Sequence, residues 1–110
     1  MTTVRENDFS VVLINTFFVK PGKTDELLQV LIKATDDVMR HQPGFISANL
    51  HISLDKTRVA NYAQWRSKED FERMQENPDV KPHMKLAAEL AERFDPMLYT
   101  VAHVDNRANV

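Results

Sequence analysis

Residues 9–20 read FSVVLINTFFVK, and the pattern within this stretch decides the fold. It is dense in Val, Ile, Phe and Thr, the residues that fit a pleated surface best. Alternate positions put Phe9, Val11, Leu13, Asn15, Phe17 and Val19 on one face, and Ser10, Val12, Ile14, Thr16 and Phe18 on the other. Both faces are apolar. A strand with one side in water would alternate between apolar and polar, so this strand is expected to be covered twice.

The stretch ends at Pro21-Gly22, and a second Pro-Gly turn, Pro43-Gly44, holds the chain's other glycine. Between the turns, residues 25–41 read as an amphipathic helix, with Thr24 as N-cap and Asp25 and Glu26 at the positive end of the helix dipole. Its apolar stripe is Leu27, Leu28, Leu31, Ala34 and Val38. Residues 45–54 and 58–66 form two strands joined by Asp55-Lys56-Thr57, which predicts a hairpin. Ser67-Lys-Glu-Asp70 has the form of a capping box and opens a short helix that Asn77-Pro78 breaks. A further helix is expected from about Pro82 to Phe94, with His83, Leu86, Ala87, Leu90 and Phe94 on one side. Pro96 closes it, and residues 97–104 form a last strand. The order is β-α-β-β-α-β with a split second helix, an α+β ferredoxin-like arrangement. Helices cover only one face of such a sheet. A second copy of the chain is the simplest cover for the other face of the first strand, so a homodimer packed sheet to sheet is expected.

The composition limits the function classes. The 110 residues suit a single domain, with 1–8 and 105–110 as flexible tails. Hydrophobic residues at 43% and charged residues at 27% describe a globular chain. The net charge of −2 comes with interspersed signs and no basic stripe, which argues against nucleic acid as a ligand. The longest apolar run, residues 11–14, is far short of the roughly 20 residues of a membrane span. The absence of cysteine excludes disulfides, thiolate metal sites and a Cys nucleophile. A polar, partly acidic start, MTTVREND, lacks the hydrophobic region of a signal peptide, so a cytoplasmic location is expected.

No glycine-rich nucleotide loop or nucleophile elbow is present, and the four histidines are too scattered for a paired metal motif. The most informative string is Asn61-Tyr62-Ala63-Gln64-Trp65. On a strand, Asn61 and Trp65 point the same way. Together, a carboxamide and an indole N–H can hold a carbonyl or enolate oxygen beside an aromatic wall. From spacing alone the simpler reading is preferred: Trp65 as the core's largest anchor and Asn61 as a satisfied strand polar. Asn15, between Leu13 and Phe17 on its face, poses the same choice, and His83 reads as a rim histidine, a general base or a haem ligand. His51 and His103 are expected on outer strands, where an interface role is the simpler reading.

At this point the chain resembles the antibiotic biosynthesis monooxygenase domain family of small dimeric α+β barrel proteins. The likeness rests on Val19-Lys-Pro-Gly-Lys23, Pro43-Gly-Phe45 and Trp65-Arg-Ser-Lys-Glu-Asp-Phe71, and it spans nearly the whole chain. Asn61-Tyr-Ala-Gln-Trp65 is similar to the string in the branch that oxidises polycyclic aromatic polyketides, where the matching Asn and Trp line the substrate pocket. The resemblance implies oxidation of a small aromatic substrate by O₂ without metal or flavin, with Asn61 and Trp65 as catalytic residues. It implies substrate-binding roles for Asn15, Phe71, His83 and Lys85; Phe71 stands where that branch has a pocket tyrosine, and Lys85 where a relative has arginine. The haem-degrading branch is the alternative enzyme. Asn15 matches its pattern, but Met74 occupies the position of its helix Trp, and His83 falls one position early. A non-enzymatic binding module of the same fold is the third reading.

Overall fold

A computed structural model describes residues 2–6 and 10–107. Phe9, expected to begin the first strand, and the last three residues of the expected C-terminal tail lie outside the described residues. The elements are β1 (Val11–Val19), α1 (Thr24–Asp37), β2 (Phe45–Ile52), β3 (Arg58–Trp65), α2 (Lys68–Glu76), α3 (Lys81–Leu90) and β4 (Ala91–Tyr99), with a 3₁₀ turn at Met39–His41. The strands form one antiparallel sheet in the order β2-β3-β1-β4. This is the ferredoxin-like α+β arrangement, with β1 in the interior of the sheet.

Several boundaries differ from the sequence reading; β2 ends at Ile52, β3 at Trp65, and β4 spans Ala91–Tyr99 rather than residues 97–104. Lys23, not Thr24, is the residue before α1, and the Thr24 hydroxyl donates to the Lys56 carbonyl at 2.6 Å, tying the hairpin to the helix start. The helix expected to reach His41 ends at Asp37 and tightens into the 3₁₀ turn. The largest correction is at α3, which ends at Leu90 rather than running to Phe94. Ala91 is already extended and pairs with Val19, and the Lys20 N–H donates to the Leu90 carbonyl at 3.0 Å. Pro96, read as a helix stop, lies inside β4 opposite Asn15. It is tolerated because β4 is an edge strand, where a missing N–H leaves no ladder bond unmade. His103 therefore lies beyond the last strand, while His51 is on the outer strand β2 as expected.

The hairpin tip is built by Asp55. Its Oδ1 accepts from the Ser53 and Thr57 hydroxyls, each at 2.7 Å, and from the Thr57 N–H at 3.0 Å. These bonds, led by the Thr57 hydroxyl, lower its pKa to about 2.

The helical face of the sheet carries two apolar clusters. One gathers Phe17, Leu27, Leu31 and Val59; the other gathers Leu13, Trp65, Phe71, Met74 and Val80. The start of α2 is fixed by the capping box, with the Ser67 hydroxyl accepting from the Asp70 N–H at 3.1 Å. Asp70 is itself buried. Its carboxylate accepts from Arg66 Nε at 2.8 Å, Arg73 Nη1 at 3.0 Å and the Ser67 hydroxyl at 2.9 Å. Its side chain also packs on Gly44 so closely that a Cβ there would lie 2.5 Å from three of its atoms. One carboxylate thus joins the Pro43-Gly44 turn, the end of β3 and the helix that carries Phe71 and Met74.

Among the described residues, no helix covers the other face of the sheet. Cross-strand register places Val12, Ile14, Thr16 and Phe18 of β1 beside Tyr62 and Gln64 of β3 and beside Met97 and Tyr99 of β4. Residues 2–3 reach part of this face: the Gln64 side chain donates to the Thr3 carbonyl at 2.7 Å, and the Thr2 hydroxyl donates to Asn49 at 2.8 Å. Met97 and Tyr99 remain about half exposed, at 51% and 46%. Among the described residues, no helix is long and apolar enough to cross a membrane.

Candidate active site

A cavity of about 300 Å³ lies between the sheet and the helices, lined by members of both clusters. Its sheet-side polar groups come from the two central strands. Asn15 and Asn61 are direct cross-strand partners of β1 and β3, and Trp65 follows Asn61 by four residues on the same face. Trp65 is 2% exposed and meets Phe45 and Phe71 edge to face, with ring centroids 5.6 and 6.0 Å apart. These contacts lock the indole plane.

Buried polar atoms in folded proteins almost always have a hydrogen-bond partner. Among the described residues three buried side-chain atoms have none: Asn15 Oδ1, Asn61 Oδ1 and Trp65 Nε1. All three residues line this cavity. An unmade bond at each costs about 1–3 kcal/mol, and such a cluster is sustained where a ligand completes it. Two amide oxygens can accept from hydroxyls, or present N–H groups if the carboxamides turn over; the indole can only donate. The polar side therefore suits a molecule with oxygen atoms along one edge, and the apolar walls suit fused rings.

Four of the six expected site residues meet here: Asn15, Asn61, Trp65 and Phe71. His83 and Lys85 do not line the cavity. The reason is the rotation of α3. Of the expected stripe through His83, Leu86, Ala87 and Leu90, Ala87 is buried and Leu90 packs on the first cluster, but Leu86 is 50% exposed; Val80 is buried and Met84 packs on both clusters instead. That rotation brings Lys81 and Met84 to the cavity instead. The Val80, Met84, Ala87 spacing at i, i+4, i+7 was the available signal. Phe94 and Pro96 also line the cavity, because Ala91–Tyr99 is strand rather than helix. Among the described residues that line the cavity, Lys81 carries the one charged side chain.

A ferredoxin-like sheet with a cavity of this size, apolar walls and a few unmet polar atoms defines a small-molecule-binding α+β protein. Residues 10–94 match the model of the antibiotic biosynthesis monooxygenase family. The chain belongs to that family. It is 40% identical over 103 residues to tetracenomycin-F1 monooxygenase of Streptomyces glaucescens, covering 94% of this chain and 91% of that protein. Among solved structures, SnoaB, a cofactor-independent oxygenase from Streptomyces nogalater, superposes with a TM-score of 0.78 at 26% identity, covering 86% of this chain and 95% of that one. The monooxygenase of ActVA-Orf6 from Streptomyces coelicolor, solved with nanaomycin D, gives a TM-score of 0.80 at 25% identity, with coverages of 91% and 94%.

Proposed function

We propose that this protein is a cofactor-independent monooxygenase that oxidises a fused-ring phenol or anthrone, of the polyketide type, with O₂. The observation that carries this reading is the set of three unpartnered polar atoms on Asn15, Asn61 and Trp65 in one apolar cavity. The likeness to tetracenomycin-F1 monooxygenase and to the cofactor-independent oxygenase SnoaB supports the same reading.

Among the described residues that line the cavity there is no carboxylate and no imidazole. In this reading the substrate is acidic enough to release its proton to water at the cavity mouth, before the rings are fully enclosed. The resulting carbanion, its charge delocalised onto oxygen, is electron-rich and passes one electron to O₂. The radical pair joins as a peroxide, which collapses by losing hydroxide as the carbon gives up its second hydrogen as a proton. Net, CH₂ and O₂ become C=O and water. The protein binds the rings, excludes water and holds the anionic oxygen with the Trp65 Nε1–H and, with its carboxamide turned over, the Asn61 N–H. Asn15 accepts from a neighbouring hydroxyl, and Phe71 stacks against the rings. The haem reading is disfavoured because His83 does not line the cavity. The direct test is oxygen uptake by the purified protein with a panel of anthrones, naphthols and quinols. Uptake with quinone formation, undiminished by chelators and by removal of flavin, is expected; binding without uptake would leave a binding module.

The working form is proposed to be a cytoplasmic homodimer joined through the helix-free face, where Ile14 sits between Tyr62 and Met97. Sedimentation at micromolar concentration should give twice the chain mass of 12.7 kDa. Ile14→Asp should shift the species to monomer, because a charge would then face the partner sheet. A monomeric wild type would refute the assembly.

A further inference from the structure

We propose that Lys81 selects the substrate by receiving an anionic group, a carboxylate, carried by the fused-ring molecule; this rests on the cavity being the substrate pocket. Lys81 is exposed and is also one of the residues that line the cavity, which places it where the cavity meets water. Its surroundings do not account for a cation there. It opens α3, where the helix dipole disfavours positive charge, and the first turn of α3 holds no acidic residue. Lys85 follows at i+4, a like-charge spacing that destabilises a helix. Lys23 just before α1, Lys33 in α1 and Lys68 in α2 pair with Glu26, Asp37 and Glu72 at three or four residues' distance, whereas the two lysines of α3 form no such pair. Among the described residues Lys81 has no ion-pair partner. A residue that breaks several local rules without compensation within the chain marks a site where something else compensates.

The division of labour within the cavity gives the chemistry. The sheet side offers neutral amides and an indole N–H, sufficient for hydroxyl and carbonyl oxygens. A full positive charge on the helical side matches a full negative charge at the other edge of the ligand. A carboxylate fits, because it is ionised before any reaction begins and so orients the rings on entry. Partial hydration at the mouth keeps the effect modest and salt-dependent.

The test compares anthraquinone-2-carboxylate with anthraquinone-2-carboxamide by titration calorimetry on the full chain at low salt. The wild type should bind the carboxylate about fivefold more tightly, the size of an exposed ion pair. Lys81→Gln should abolish that preference while leaving carboxamide affinity unchanged, and Lys81→Arg should retain it. A preference that persists in Lys81→Gln, or a wild type that binds both equally, overturns the assignment, and so does a wild type that binds neither. A Lys81-dependent preference in a protein that consumes no oxygen with any anthrone would uphold the assignment and refute the oxygenase reading.

Discussion

Trp65→Phe and Asn61→Ala are each expected to lower turnover by on the order of 10²–10³, with a much smaller effect on substrate binding. This is the usual consequence of deleting one donor to a developing oxyanion, about 2.7–4 kcal/mol. Trp65→Phe is the sharper test, because a phenyl ring keeps an edge for Phe45 and Phe71 while the Nε1–H is lost. The Asn61 side chain has no partner at Oδ1, so truncation breaks no bond there within the protein. Both donors serve one anion, so the double variant should lose less than the sum of the two free energies. Circular dichroism and gel filtration should show the wild-type fold and assembly in each. Wild-type kcat in both variants would mean that the two residues only pack the core, and the unmet polar atoms would then need another explanation.

Gly44→Ala is expected to destabilise the protein by about 3 kcal/mol, combining a left-handed backbone with an overpacked contact. Gly44 has φ of +84°, and an added Cβ would meet the Asp70 Cβ itself at 2.5 Å. Rotating the Asp70 side chain cannot move its Cβ, and Arg66, Ser67 and Arg73 hold the carboxylate in place. Gly22 is the internal control. It has a similar φ of +74°, but nothing lies within 4 Å of its would-be Cβ, so Gly22→Ala should lose only about 1 kcal/mol. Urea melts on both variants read the difference, and equal losses would show that α2 shifts freely away from the turn. Acid should weaken the same junction. The Arg66 fork holds the Asp70 carboxyl below its ordinary value of 3.8 despite burial, so the folded state binds this proton less readily than the unfolded chain. The stabilisation is therefore complete above that ordinary value and is lost as pH falls through the folded one. In Asp70→Asn this part of the acid dependence should disappear.

Local pattern made most of the fold legible. β1 was recognisable because β propensity and two apolar faces coincide in it, and it is the strand that sheet order places in the interior. The capping box at Ser67-Asp70 and the Asp55 hairpin tip were readable because their bonds join residues two to five apart. Asn61 and Trp65 share a face through the period of the strand alone, and Asn15 joins them through a register that two apolar faces specify strongly.

Two things depended on the assembled molecule. Pro96 carries the same local message in a helix stop and in an edge strand; only pairing with β1 made residues 91–99 extended and brought Phe94 and Pro96 to the cavity. The rotation of α3 was likewise open, since its apolar residues permit two stripes. Burial of Val80 and packing of Met84 on both clusters selected one of them, bringing Lys81 to the cavity and leaving His83 and Lys85 off its wall. The sequence by itself determined the elements, their order and the polar residues on the cavity's sheet side, because these follow from short-range periodicity. Tertiary structure alone decided which helical side chains face them, because a helix's orientation is set by the surface it packs on.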